Sequence, residues 1–246
     1  MNKVALVTGG AGGIGSAICE EIAAAGAAVI VGYMNSAERA ELLAAQLPQA
    51  SLPHAALRAP VTDSIALSEL AAEIDRRYGR CDILVNCAGT TRYVPHTHLN
   101  ELDDVLIDDI LATNVRGPFA SVRALHSLMR RSGDALVVNI SSIAAVTAMG
   151  SNIMYCASKA ALDNMTKSLA RALAPEIRVV SVSPGLVETE FVKKMDQTWR
   201  DEQVERTPLK RLASPQEIAR AVVAMASNLV FVTGAIIPID GGRPIG

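Results

Sequence analysis

Val4-Ala5-Leu6-Val7-Thr8-Gly9-Gly10-Ala11-Gly12-Gly13-Ile14-Gly15 is the stretch on which the reading of the whole chain turns. A short apolar run ends in glycines, and Ile14, Ile18, Ile22 and Ala25 follow at helical spacing up to Gly26. Such a run is a buried parallel strand opening a crossover to a helix. Glycines allow a sharp turn and a close approach of backbone to a pyrophosphate, while the helix N-terminus offers unpaired N–H groups and the positive end of a dipole. Gly10, Gly12 and Gly15 fit G-x-G-x-x-G, and Thr8, Gly9, Gly13 and Gly15 fit T-G-x-x-x-G-x-G. An ordinary tight turn reads alike, but a place between the first strand and first helix favours nucleotide binding.

The alternation continues outward from this turn. Strands are expected over 27–32, 81–85, 135–140, 177–182 and 235–239. Helices are expected over 37–47 (capped by Ser36), 64–78, 102–112, 115–131, 153–173 and, with Ser214 as cap and Pro215 at its first position, to about Ala226. Strands alternating with helices throughout predict an α/β fold, a Rossmann-type doubly wound parallel sheet of about seven strands with helices on both faces. With no linker, repeat or low-complexity tract, residues 1–246 are expected to form one domain. The loosest part is 186–212, a lid or a helical insertion, carrying the only tryptophan, Trp199.

Composition narrows the class. Half of the 246 residues are apolar and 3% are aromatic, so the core must be built from Ala, Val, Ile and Leu. A net charge of −2 argues against nucleic acid as the main partner. Arg116, Arg123 and Arg130 share a helix face, best read as a solvated or subunit-facing stripe. Cys19, Cys81, Cys87 and Cys156 lack zinc-site spacing, so no metal is expected. Without a secretory signal or a membrane-length stretch, a soluble cytoplasmic protein with reduced thiols is expected.

Tyr155 and Lys159 stand four residues apart on one helical segment, so both emerge on one face. Met154, Ala157, Ala161, Met165 and Leu169 form a separate apolar stripe expected to bury that helix. A tyrosine titrates near 10, and an adjacent ammonium favours its phenolate, so the pair suits proton exchange at a carbonyl oxygen. Ser141 and Ser142 end the 135–140 strand, at the carboxyl edge where open α/β sheets bind ligands.

Taken with Asn86-Cys87-Ala88-Gly89, Asn114, Asn139-Ile140-Ser141-Ser142, Tyr155-Cys156-Ala157-Ser158-Lys159, Pro184-Gly185 and Thr189, these residues resemble the short-chain dehydrogenase/reductase family over essentially the whole chain. Thirteen positions separate Ser142 from Tyr155, and this order and spacing is more specific than any single element. The resemblance implies hydride transfer between a nicotinamide dinucleotide and a carbonyl or alcohol carbon. It implies Tyr155 as acid or base, Lys159 on the nicotinamide ribose and acidifying the tyrosine, and Ser142 on the substrate oxygen. Asn114 would hold a water on the proton path. Gly9, Gly13, Ile14, Gly15, Val61, Asn86, Ala88, Gly89, Pro184, Gly185, Val187 and Thr189 would line the cofactor site.

Three positions depart from the family pattern: Cys87 for a second Asn, Val180 for an Asn, and Pro60 for a polar residue near the adenine. The second strand ends in Val31-Gly32-Tyr33-Met34-Asn35-Ser36 with no acid for a ribose 2′-hydroxyl, and Glu38 comes too late. Asn35, Ser36 and Arg39 could meet a 2′-phosphate instead, which favours NADP over NAD, although the glycine turn carries no basic residue.

Expected walls for the substrate are 90–94, 144–152, Leu186, Val187, Phe191, Met195 and Trp199, mostly apolar and suited to a small or medium oxo or hydroxy compound. Thr207-Pro208-Leu209-Lys210-Arg211-Leu212 is similar to the corresponding stretch of 3-oxoacyl reductases. The competing reading is a catalytically idle dinucleotide sensor or assembly protein, which would need none of Asn114, Ser142, Tyr155 and Lys159; an epimerase or dehydratase would need a further substrate domain. The family habit is a homotetramer in which the 115–131 and 153–173 helices pair across subunits.

Overall fold

The computed structural model describes residues 1–245, without the side chain of Phe191. Seven parallel strands, β1 (Val4–Thr8), β2 (Ala28–Tyr33), β3 (Ala55–Arg58), β4 (Ile83–Asn86), β5 (Ala135–Ile140), β6 (Ile177–Pro184) and β7 (Ile236–Ile239), form one sheet in the order β3-β2-β1-β4-β5-β6-β7. The order reverses between β1 and β4, so their carboxyl ends open a crevice there. Every residue of β1 is buried, as a strand covered on both faces requires.

Among the described residues, ten α-helices fill the connections: α1 (Gly13–Ala24), α2 (Ala37–Gln46), α3 (Ser64–Tyr78), α4 (Asp104–Leu111), α5 (Gly117–Ser132), α6 (Ala144–Thr147), α7 (Ile153–Leu173), α8 (Glu190–Lys193), α9 (Gln197–Glu205) and α10 (Pro215–Ser227). One core joins the sheet to α1, α2 and α10 through Ile18, Ile22, Ala40, Ile218 and Val222. The other joins it to α3, α5 and α7 through Leu67, Ile74, Leu125, Met129 and Ala170. Both consist of the small and branched aliphatic side chains that the low aromatic content demanded. Val180, in place of the family's Asn, is fully buried in the first. Truncating Leu84, with no exposed surface beneath α5, to Ala should cost about 2–5 kcal/mol in a urea titration.

Sequence and structure part company at a few elements. β3 carried no legible signal, because Ala55-Ala56-Leu57-Arg58 is a short, half-buried edge strand without clear alternation. Of the two readings of 186–212, a lid or a helical insertion, the segment holds two short helices, α8 and α9. Ser36 sits at the start of α2, but its side chain caps nothing. Ser214 does cap α10, in a reciprocal box with Glu217. The stripe expected to bury α7 faces outward: Ala157 and Ala161 are exposed, and Met154, Met165 and Leu169 only partly covered. The face that meets the sheet carries Lys159, Leu162, Asp163, Thr166 and Ala170 instead. Buried polar groups there find partners on β5 and β6, which a count of apolar residues along one helix does not register.

Candidate active site

Three connections converge at the carboxyl edge. The first is the turn Gly9–Gly15. Gly9 has φ +65, and a Cβ there would meet the Ala88 backbone at 2.9 Å. A Cβ on Gly15 would lie 2.2 Å from the Gly9 carbonyl oxygen, so only glycine permits this turn. No side chain caps α1, so the first N–H groups, at Gly13, Ile14 and Gly15, have no side-chain acceptor. Thr8 ties this turn to the next connection: its Oγ1 accepts from Cys87 N and Ala88 N, each at 3.2 Å.

The second connection follows β4. Asn86 is 2% exposed; its Nδ2 donates to Asn139 Oδ1 at 2.9 Å, and Asn139 Nδ2 donates to Thr166 Oγ1 at 2.8 Å. That chain of buried amides pins β4, β5 and α7 together at the edge where the site lies. Asn86 Oδ1 is itself buried without a partner, an open acceptor in the floor. Gly89 leaves space in which a Cβ would stand 3.4 Å from Asn114 Oδ1 and 3.9 Å from Lys159 Nζ.

Asn114 sits in a π-helical turn, Ala112–Arg116, between α4 and α5. Such wide turns cluster at functional sites. Its Oδ1 accepts from Thr90 N at 2.9 Å, and its Nδ2 donates to Thr90 O and to Ser158 Oγ at 3.0 and 3.1 Å. Asn114 thereby fastens the loop after β4 to α7.

The third connection brings Ser142 and α7 together. Asn152, read from sequence only as a wall, is fully buried and caps α7 by accepting from Tyr155 N at 2.7 Å. Its Nδ2 donates to Arg92 O at 2.8 Å, joining the 90–94 and 144–152 walls. An Asn three residues before the tyrosine was the legible signal for this cap. Lys159 is buried, its Nζ 5.7 Å from the centre of the Tyr155 ring and donating to Ile140 O at 2.8 Å.

Electrostatics amend one expectation. Burial pushes the Tyr155 phenol above its ordinary value, with the Ser142 hydroxyl opposing the shift. Lys159, its Nζ 5.7 Å from the ring centre, does not offset this burial. Burial also draws Lys159 down to about 8, against the pull of Cys87 and Asp163. Cys87 is raised to about 11 by burial and stays a thiol.

The remaining expected residues fall around this centre. Val61, 5% exposed, is wedged under Gly117, where a Cβ would meet its Cγ2 at 2.9 Å. Pro184 ends β6, and Gly185 packs against the Asp240 backbone. Val187 pairs with Ala213 in an isolated bridge, and a Cβ on Gly13 would touch Thr189 Cβ at 3.2 Å, so the start of the 186–212 segment closes over the glycine turn. Asn35, Ser36 and Arg39 are exposed just beyond β2, apart from the Tyr155 centre. The expected wall at Phe191 falls on a side chain outside the described ones. Arg116 and Arg123 donate to Thr62 O and Ser64 Oγ, staying at the surface. No cluster of His, Cys, Asp or Glu able to hold a metal occurs among the described residues.

A dinucleotide fits this arrangement: free N–H groups at a helix start, a glycine cradle that any Cβ would fill, and an unsatisfied carbonyl oxygen in the floor. Residues 9–243 match the family model described as enoyl-(acyl carrier protein) reductase. D-threitol dehydrogenase of Mycolicibacterium smegmatis is 38% identical over 99% of this chain and 93% of its own. The 3-oxoacyl-(acyl-carrier-protein) reductase FabG of Thermotoga maritima is 35% identical over 99% of this chain and 98% of its own. A gluconate 5-dehydrogenase from Burkholderia cenocepacia, solved with NADP and tartrate, superposes with a TM-score of 0.91 at 28% identity, covering 100% of this chain and 97% of its own. The sequence motifs, the sheet order and these matches agree: the chain belongs to the short-chain dehydrogenase/reductase family and is an oxidoreductase of CH–OH or carbonyl groups.

Proposed function

We propose that this oxidoreductase uses NADP in preference to NAD, and that Asn114, Ser142, Tyr155 and Lys159 carry its chemistry. The observation that carries the reading is the meeting of Tyr155, Lys159 and Ser142 beside Gly89, at the switch point of the sheet. When bound, the dinucleotide supplies or accepts the hydride. Ser142 orients the substrate oxygen by donating to it. Tyr155 gives that oxygen a proton in reduction and removes one in oxidation; a phenol raised by burial is held in the acid form that reduction needs. Lys159, whose Nζ gives one of its three protons to Ile140 O, would hold the ribose hydroxyls with the others. The Asn114 amide clamps Thr90 to Ser158, and its Oδ1, which accepts only from Thr90 N, keeps a lone pair that would take the water on the proton path.

The backbone N–H groups of Gly13, Ile14 and Gly15 meet the pyrophosphate, with Gly9 as the turn. Asn86, Ala88, Gly89 and Val61 form the floor and adenine side, and Pro184, Gly185, Val187 and Thr189 the nicotinamide side. Residues 1–246 work as one domain, with 186–212 as a lid. A 3-oxoacyl-type substrate is favoured among small carbonyl compounds by the Thr207–Leu212 stretch. No helix among the described residues is long and apolar enough to cross a membrane, and a cytoplasmic homotetramer is the proposed form. The outward stripe of α7 supports it: Met165 joins Leu111, Val115 and Phe119 in a groove of about 640 Å³ suited to a second subunit.

A panel of ketones, 3-oxo esters and sugar alcohols, followed by absorbance of the reduced cofactor, tests the reading. Arg39 makes no side-chain hydrogen bond or ion pair among the described residues and is free to meet a 2′-phosphate. Arg39→Ala should raise the Kd for NADPH roughly tenfold, as loss of a charged hydrogen bond does, and leave that for NADH unchanged. An unaltered NADPH preference would clear Arg39 of the role.

A further inference from the structure

One turn beyond Lys159, on the same face of α7, stands Asp163, a carboxyl group 8% exposed that the proposed chemistry leaves unused. Burying a carboxylate is unfavourable unless something opposes its charge or hydrogen-bonds it. Ser181 Oγ on β6 donates to its Oδ1 at 2.9 Å. Ser181 is in register with Asn139 on β5 and lies 3.2 Å from that residue's carbonyl oxygen. On the neighbouring turn, Ser141 Oγ reaches Lys159 O at 3.5 Å. Through Ser181, β6 thus holds Asp163 inside the same interior as the ammonium.

We propose that Asp163 is a positioning residue, whose negative charge across one helical turn keeps the buried Lys159 protonated at neutral pH. This rests on the role assigned to Lys159 above. The titratable and charged groups facing Lys159 are Cys87 from the loop after β4 and Tyr155 and Asp163 from its own helix. Facing Asp163 are Lys159 and Lys167, with the neutral hydroxyls of Ser141 and Ser181. Cys87 is held as a thiol by burial, so Asp163 is the group that supplies opposite charge. Burial raises Asp163, while both hydroxyls and both lysines draw it back toward the ionised form.

The sign follows. An ammonium is charged below its pKa, and removing a nearby anion lowers that pKa. Ketone reduction fails as Lys159 loses its proton on the alkaline side, so that limb should move to lower pH.

Asp163→Asn keeps an oxygen for Ser181 and nearly the same shape. With ¹³Cε- and ¹⁵Nζ-labelled lysine, the Lys159 resonance in the ligand-free variant should titrate about one pH unit lower than in the parent. The alkaline limb of kcat/KM for reduction should move with it. Should Asp163→Asn fail to fold, Ser181→Ala, which removes a donor to the carboxylate, is expected to move the titration the same way by less. A Lys159 titration unmoved in the variants that fold overturns the proposal, as does a moved titration with an unmoved limb. A purely structural role would lower Tm and kcat without touching either. Because the titration uses neither cofactor nor substrate, it decides this pair even where the catalytic reading itself fails.

Discussion

Tyr155→Phe should lower kcat by about 10²–10⁴-fold, the range that a positioned acid or base contributes, while the Kd for NADPH stays within about threefold. The substitution deletes one oxygen and keeps the ring on α7. The backbone of residue 155 remains capped by Asn152 through its N–H, and Lys159 remains anchored on Ile140 O, so neither fold nor nucleotide site should shift. What disappears is the phenolic proton that the proposed chemistry gives to the substrate oxygen. Ser142 would still polarise that oxygen, but a serine hydroxyl cannot deliver a proton and remain an alkoxide at neutral pH. Stopped-flow or steady-state absorbance at 340 nm would read kcat, and quenching of protein fluorescence the Kd. Undiminished turnover in this variant would remove the proposed acid and, with it, the catalytic assignment.

Gly15→Ala should weaken NADPH binding by at least about a hundredfold and destabilise the protein by about 1–3 kcal/mol. The new Cβ would stand 2.2 Å from Gly9 O and 2.9 Å from Gly10 Cα, both backbone atoms that cannot turn aside as a side chain would. The turn must open, and the N–H groups behind it then no longer converge. Charge-assisted hydrogen bonds are worth about 1.5–3 kcal/mol each, so misaligning two accounts for the affinity lost. Gly79 provides the control. It ends α3 at φ +67 with nothing within 4 Å of a built Cβ, so Gly79→Ala should cost about 1 kcal/mol of strain and leave affinity unchanged. Titration calorimetry below both melting points separates the two; equal affinities in Gly15→Ala and Gly79→Ala would contradict a pyrophosphate cradle at this turn.

Helix and strand periods, the glycine turn and the tyrosine–lysine spacing are properties of residues close together in the chain. Those features were legible without coordinates. The same holds for α7, whose ends match the expectation at Ile153 and Leu173, and for the Ser214 cap of α10. Asn152 carried a cap signal three residues before Tyr155 that was read only as a wall, and nothing near Asp163 distinguished it from a surface residue. Their roles arise from Arg92 and from Ser181, each brought alongside by the path of the sheet.

By itself, then, the sequence determined the alternating parallel architecture and the family, since each rests on local spacing. Only the tertiary structure decided which face of α7 is buried, how Asn114 is clamped in a π turn, and that burial raises the Tyr155 phenol and lowers Lys159. Burial and charge at a point are sums over segments distant in the chain, and no periodicity along one helix carries that sum.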